Sequence, residues 1–242
     1  MILKSIFCFL IASLKENSII LPVLIELIAF AAVLTLQKFS MQPNEMIKQA
    51  NPDYPVLPLI ASRWSPRAYS SKPVEAEKLQ RIFEAARWSA SSSNLQPWYF
   101  LLGYKRDTVF ENIAGSLVEF NKLWALEAPI LVLAIAKTTS SRGEFNATHA
   151  YDLGQAVAML SLQAMYEGVY THQMAGFNAS EVTRSLEIPE DYKVLVVFAL
   201  GYLGNAELLH PNLRKLEISP RTRRSASETV FTGSFGHKAD FL

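Results

Sequence analysis

Arg87-Trp88-Ser89-Ala90-Ser91-Ser92-Ser93-Asn94-Leu95-Gln96-Pro97-Trp98 separates an amphipathic helical stretch from the apolar run Tyr99-Phe100-Leu101-Leu102. Hydroxyls and amides that both donate and accept hydrogen bonds are packed between two tryptophans. Such a loop caps a helix and turns the chain, or it faces a planar polar ligand beside an apolar wall. Taken alone, its composition suits the ordinary turn as well as the ligand loop.

Working outward, Pro73 to Trp88 reads as a helix. Ser70 and Ser71 are candidate caps, Pro73 suits the first turn, and Leu79, Ile82, Phe83 and Ala86 share one face. Trp98 to Leu102 reads as a short buried strand. A second amphipathic helix is expected from Asp107 to about Leu126, with Phe110, Ile113, Leu117 and Phe120 inward. The unbroken run Ile130–Ile135 implies a strand covered on both faces. A long helix follows from Thr148 to Glu167, with Gly168 as its stop. Its small residues Ala150, Gly154, Ala156, Ala158 and Ala164 suit close helix packing, in a core or at a subunit interface. A turn at His172–Asn178 centres on Gly176. Ser180–Leu186 is a short helix, Lys193–Tyr202 contains another buried strand, and the tail after Gly204 shows little helical period. Helices alternating with strands imply a sandwich around a central sheet.

The bulk properties remove several functions. The chain has 242 residues, half of them hydrophobic, and a formal net charge of +1, which argues against a nucleic-acid binder with a broad basic face. A lone Cys8 permits no intramolecular disulfide or cysteine-based metal cluster, and the four histidines show no zinc spacing. There is no G-x-G-x-x-G, Walker loop or G-x-S-x-G elbow. Asn146-Ala147-Thr148 and Asn178-Ala179-Ser180 match the short glycosylation pattern. Residues 1–40 form an apolar extension, with runs over 6–14 and 19–36. The second is barely long enough to span a membrane and contains Glu26. It reads as a membrane anchor, as a helix packing on the protein itself, or as upstream sequence foreign to the native product. The domain of residues 41–242 is expected to work in the cytoplasm, with membrane contact through 19–36 if that segment is native.

Two arginine groups stand at opposite ends of this domain. Arg63-Trp64-Ser65-Pro66-Arg67 carries the first, and Pro220-Arg221-Thr222-Arg223-Arg224 the second. Guanidinium groups fork around phosphate oxygens, and clustering four of them is costly without an anion. Each segment alone suits an ordinary solvated surface; together they suit a phosphorylated planar ligand.

These residues, in order and spacing, resemble the FMN-dependent nitroreductase family over about residues 56–230. The resemblance implies an α+β three-layer sandwich with a central mixed sheet, forming an intertwined homodimer whose C-terminal arm extends over the partner. It implies FMN as cofactor, NADH or NADPH as electron donor, and a nitroaromatic, quinone or free flavin as acceptor, reduced in ping-pong fashion. A flavin reductase or dehydrogenase on the same scaffold, or a non-enzymatic binder of anions, are the alternatives. By position, Arg63, Trp64, Ser65 and Arg67 correspond to FMN contacts, with Arg67 beside N1 and O2 of the ring. Ser91, Ser92, Ser93, Asn94 and Gln96 correspond to the loop that meets the flavin from the other subunit. Asn121 matches a position on the pyrimidine side, Ala175 and Gly176 the turn facing N5, and Arg221 and Arg223 the phosphate-binding arm. Ala90 stands where many members carry proline. The flavin supplies the redox chemistry, so no side chain is named as catalytic and no metal is implied.

Overall fold

A computed structural model describes residues 48–242 of the chain. The chain divides into two units, Met1–Glu45 and Met46–Leu242. The apolar runs read above as an anchor belong to the first and lie outside the described residues. Among the described residues, no helix is long and apolar enough to cross a membrane.

The second unit runs α1 (Pro58–Ser62), α2 (Ala76–Arg87), a 3-10 turn (Ser92–Asn94), β1 (Trp98–Tyr104), α3 (Thr108–Ser116), α4 (Glu119–Ala125), β2 (Ile130–Lys137), α5 (His149–Tyr166), β3 (Tyr170–Met174), α6 (Ala179–Ser185), β4 (Tyr192–Gly201), a second 3-10 turn (Ala206–Leu208), α7 (Pro211–Ile218) and a third 3-10 turn (Ala226–Glu228). The sheet order is β1-β2-β4-β3. β2 is central, and its alternate residues enter two different cores. Leu131 and Leu133 pack with Phe110 and Ile113 of α3, Trp124 of α4, Val182 of α6 and Leu213 of α7. Val132 and Ala134 pack with Leu79 and Ile82 of α2 and with Leu153, Ala156 and Leu160 of α5. That double burial is why the strand is apolar from Ile130 to Ala136, and it produces the three-layer sandwich.

Several expectations are corrected. Every strand pairing is antiparallel, so no mixed sheet forms among the described residues. β2 and β3 run in the same direction, joined by the α5 crossover, but β4 lies between them. The helix expected over 107–126 is broken: Leu117 and Val118 are extended. Their backbone is claimed by a distant partner, with Asn178 N–H donating to the Ser116 carbonyl (2.7 Å) and Val118 N–H to Gly176 (3.1 Å). The break turns Phe120 outward, to 49% exposure. α2 starts at Ala76, with Glu75 as its N-cap residue rather than Ser70 or Ser71. In α5, Ala156 and Ala164 are core, whereas Ala150, Gly154 and Ala158 face outward beside exposed Tyr151, Met159 and Tyr166. Gly168 ends α5 in the left-handed region, φ 73°, as its sequence position implied. Of the two glycosylation patterns, Asn146 is buried. Its Oδ1 accepts from the Thr148 N–H and hydroxyl, so it is not an acceptor site in the folded chain.

Candidate functional site

The turn Arg63–Arg67 leaves α1 and is fixed from beneath by α7. Glu217 is 1% exposed, and its carboxylate accepts from the main-chain N–H groups of Arg67 (2.9 Å) and Ala68 (3.0 Å). Lys48 Nζ donates to the carbonyls of Leu216 and Glu217 at the C-terminal end of α7 and lies 5.3 Å from the Trp64 ring. The arm after α7 returns over α1, where Arg221 Nη1 donates to the carbonyls of Ala61 (2.6 Å) and Lys48 (3.1 Å). The arm thus docks at Arg221 on its own chain.

Both arginine groups converge. Burial and then Arg223 pull the Arg63 guanidinium below its ordinary pKa. Burial, Arg63 and Arg223 do the same to Arg221. Lys48 is lowered by burial, an effect that Glu217 opposes and Arg67 and Arg221 reinforce. Lys48, Arg63, Arg67, Arg221 and Arg223 are thus linked by mutual repulsion, while Glu217, the carboxylate beside Lys48, has its oxygens engaged by backbone. Arg67 Nε, Trp64 Nε1 and Trp124 Nε1 are buried donors without an acceptor among the described residues. A donor-rich, cation-rich cluster of this kind is complementary to an anion with several oxygens, and a phosphate monoester suits it.

The floor continues toward the sheet. The Arg67 guanidinium lies 6.0 Å from the Trp124 ring, and Trp124 packs on His172 with centroids 4.3 Å apart. His172 Nδ1 donates to the Pro66 carbonyl (2.8 Å), which fixes its tautomer because a carbonyl can only accept. α4 also carries Asn121, whose Nδ2 donates to the Gly176 carbonyl (3.0 Å). Gly176 is needed for space rather than for its dihedral angles. A Cβ there would sit 2.8 Å from Asn121 Nδ2 and 2.9 Å from Val118. Among the described residues, no acceptor takes the Gly176 N–H, so it is free to face a ligand.

The serine-rich loop is elsewhere. Ser93, Asn94 and Gln96 all adopt left-handed backbone, φ 49°, 53° and 48°, a conformation that costs of order 1–3 kcal/mol each outside glycine. Ser91 Oγ accepts from the Gln96 N–H, and Asp152, near the start of α5, accepts from the Ser92 N–H. Trp64 instead packs against Met165, near the end of α5. At 1.5 Å per residue, the two places lie about 20 Å apart along the helix. One chain therefore brings together Arg63, Trp64, Ser65, Arg67, Asn121, Ala175, Gly176, Arg221 and Arg223, and keeps Ser91, Ser92, Ser93, Asn94 and Gln96 away from them.

Glu217, Lys48, His172 and Trp124 were not singled out from sequence. Glu217 follows Leu213 by one helical turn on the buried face of α7, behind Pro211 at the first turn. A carboxylate in that inward position was the available signal. Replacing Glu217 with alanine strands two N–H groups and should cost about 2–4 kcal/mol of stability. Chemical denaturation reads this directly, and an unshifted midpoint would mean the turn is held by other contacts.

Burial, joined by Arg67 and Arg63 against the opposing Pro66 hydrogen bond, pushes His172 down to about 4 from 6.5. The unfolded chain therefore takes up this proton at higher pH than the folded one. Its stabilising contribution is complete above pH 6.5 and is lost as pH falls toward 4. In the ligand-free protein, His172→Gln should remove about 3 kcal/mol of that acid dependence. Identical pH–stability curves for the two proteins would contradict it.

Residues 60–202 match the nitroreductase family. The crystal structure of an oxidoreductase containing FMN is 33% identical, with a TM-score of 0.74, covering 80% of this chain and all of that one. An uncharacterized 15.4 kDa protein of Mycolicibacterium smegmatis is 31% identical over 134 residues, 54% of this chain and 87% of that protein. A putative NADH dehydrogenase/NAD(P)H nitroreductase of Archaeoglobus fulgidus is 26% identical over 150 residues, 60% of this chain and 84% of that protein. With the family match spanning more than half its length, the chain belongs to the nitroreductase family.

Proposed function

We propose that this protein is an FMN-dependent NAD(P)H oxidoreductase acting on nitroaromatic, quinone or related acceptors. The observation that carries the reading is the convergence of Arg63, Arg67, Arg221 and Arg223 around buried donors that lack acceptors. Arg63, Arg221 and Arg223 hold the FMN phosphate. Asn121 and the Gly176 N–H address the polar edge of the ring, and Arg67 supports negative charge that develops there. When bound, FMN accepts a hydride from NAD(P)H and passes the electrons to the acceptor.

The site is completed by a second copy of the chain. The outward face of α5 is lined by Ala150, Gly154 and Ala158, which permit close approach, and by Tyr151, Met159 and Tyr166, which supply apolar area. Two copies packed antiparallel along this face would bring the Ser91–Gln96 loop of one to the arginine cluster of the other. The left-handed residues of that loop are the kind of stored strain that accompanies a binding site.

The test is the visible spectrum of the purified protein, followed by anaerobic addition of NADH or NADPH and then a quinone. Flavin absorption that bleaches with the donor and returns with the acceptor, with parallel double-reciprocal plots, is expected. A protein that stays colourless when mixed with FMN would overturn the reading.

A further inference from the structure

A groove of about 510 Å³ lies between the Ser92–Leu95 turn and the segment Ser140–Thr148. Its volume suits a small aromatic molecule. Ser92 and Ser93 belong both to this groove and to the loop assigned above to the flavin, so a ligand in the groove would lie beside the cofactor. The opposite wall is a tight hairpin. Thr139 and Phe145 form an antiparallel bridge, Ser140 N–H donates to Glu144 (2.8 Å), and Gly143 takes φ 77° at the turn.

This hairpin presents two unmet groups. Phe145 is 71% exposed, held edge-on to His149 with centroids 5.7 Å apart, so one ring face remains open. Arg142 forms no ion pair among the described residues, although Glu144 is only two positions away. Asn146 also borders the groove, but its Nδ2 is closed off from solvent and its Oδ1 is engaged by Thr148, so it offers a groove ligand no group. An apolar ring face and a free guanidinium are complementary to an aromatic ring bearing an acidic group. Arg142 is the only cation among the residues lining the groove, a countercharge for a single acidic group and too little for a dianionic phosphate.

We propose that this groove is the docking site of the electron acceptor, and that it selects planar aromatics carrying one acidic group. The inference rests on the oxidoreductase reading and adds the substrate class. Its test compares para-nitrobenzoate with neutral para-nitrobenzamide on full-length protein at equal flavin content. Binding is read from perturbation of the oxidised flavin spectrum, and KM from steady-state rates. Arg142→Ala should raise the Kd and KM for the benzoate about tenfold more than for the benzamide, with partial rescue in Arg142→Lys. Phe145→Ala should weaken both. Equal shifts for the two acceptors in Arg142→Ala, or no shift, would overturn the proposal. Wild-type protein without flavin, or with flavin that no donor reduces, would instead overturn the reading on which it rests.

Discussion

Replacing Arg221 and Arg223 together with alanine should weaken FMN binding by roughly two to four orders of magnitude. A charge-assisted hydrogen bond to phosphate contributes about 1.5–3 kcal/mol, and every 1.4 kcal/mol is about tenfold in Kd. The two residues are not equivalent. Arg221 also docks the arm through the carbonyls of Lys48 and Ala61, so its loss perturbs the apoprotein as well. Arg223 is exposed, and its Nη1 reaches only the adjacent Thr222 carbonyl. The single Arg223→Ala variant therefore isolates the ligand term: about ten- to a hundredfold weaker FMN binding with an unchanged denaturation midpoint. Fluorescence titration of the apoprotein with FMN gives both constants. Wild-type affinity in the double variant would remove the arm from the site.

A larger effect is expected at Gly154. It lies mid-helix on the outward face of α5, and a Cβ built there meets nothing within 4 Å. Arginine at that position fits the isolated chain and raises helix propensity by about 1 kcal/mol. It would nevertheless force a long charged side chain into any close helix contact across that face. Gly154→Arg should sediment as a folded monomer and retain essentially no FMN, because each arginine cluster would lack the loop from the partner copy. A variant that stays dimeric, or a monomer that binds FMN with wild-type affinity, would show that this face does not complete the site.

The central framework was legible because its residues answer to local pattern. The unbroken run Ile130–Ile135 has one reading, a strand covered on both faces, whereas the small residues of α5 divide: Ala156 and Ala164 are core, and Ala150, Gly154 and Ala158 face outward. The break at Leu117–Val118 was not legible, since the amphipathic period runs through it. Only the hydrogen bonds from Val118 to Gly176 and from Asn178 to Ser116, both tertiary, decide it. β3 and α7 were missed for related reasons. β3 has only five residues and closely follows a helix, while α7 buries a glutamate where an apolar residue would have marked the face. The site divides in the same way. Arginine pairs at both ends of the domain, the Ser/Asn loop and Gly176 carry type and spacing. Glu217, Lys48, His172 and Trp124 act through contacts with segments far away in the chain.

The most direct measurement uses two defective proteins. One carries Arg221→Ala and Arg223→Ala; the other carries Ser92→Ala, Ser93→Ala and Asn94→Ala. Each alone should bind FMN poorly, in both sites of its own dimer. Unfolded together and refolded as a mixture, they should regain tight FMN binding, because every mixed dimer contains one site with an intact arginine cluster and an intact loop. A mixture that binds no more FMN than its two components would contradict a site shared between two copies of the chain.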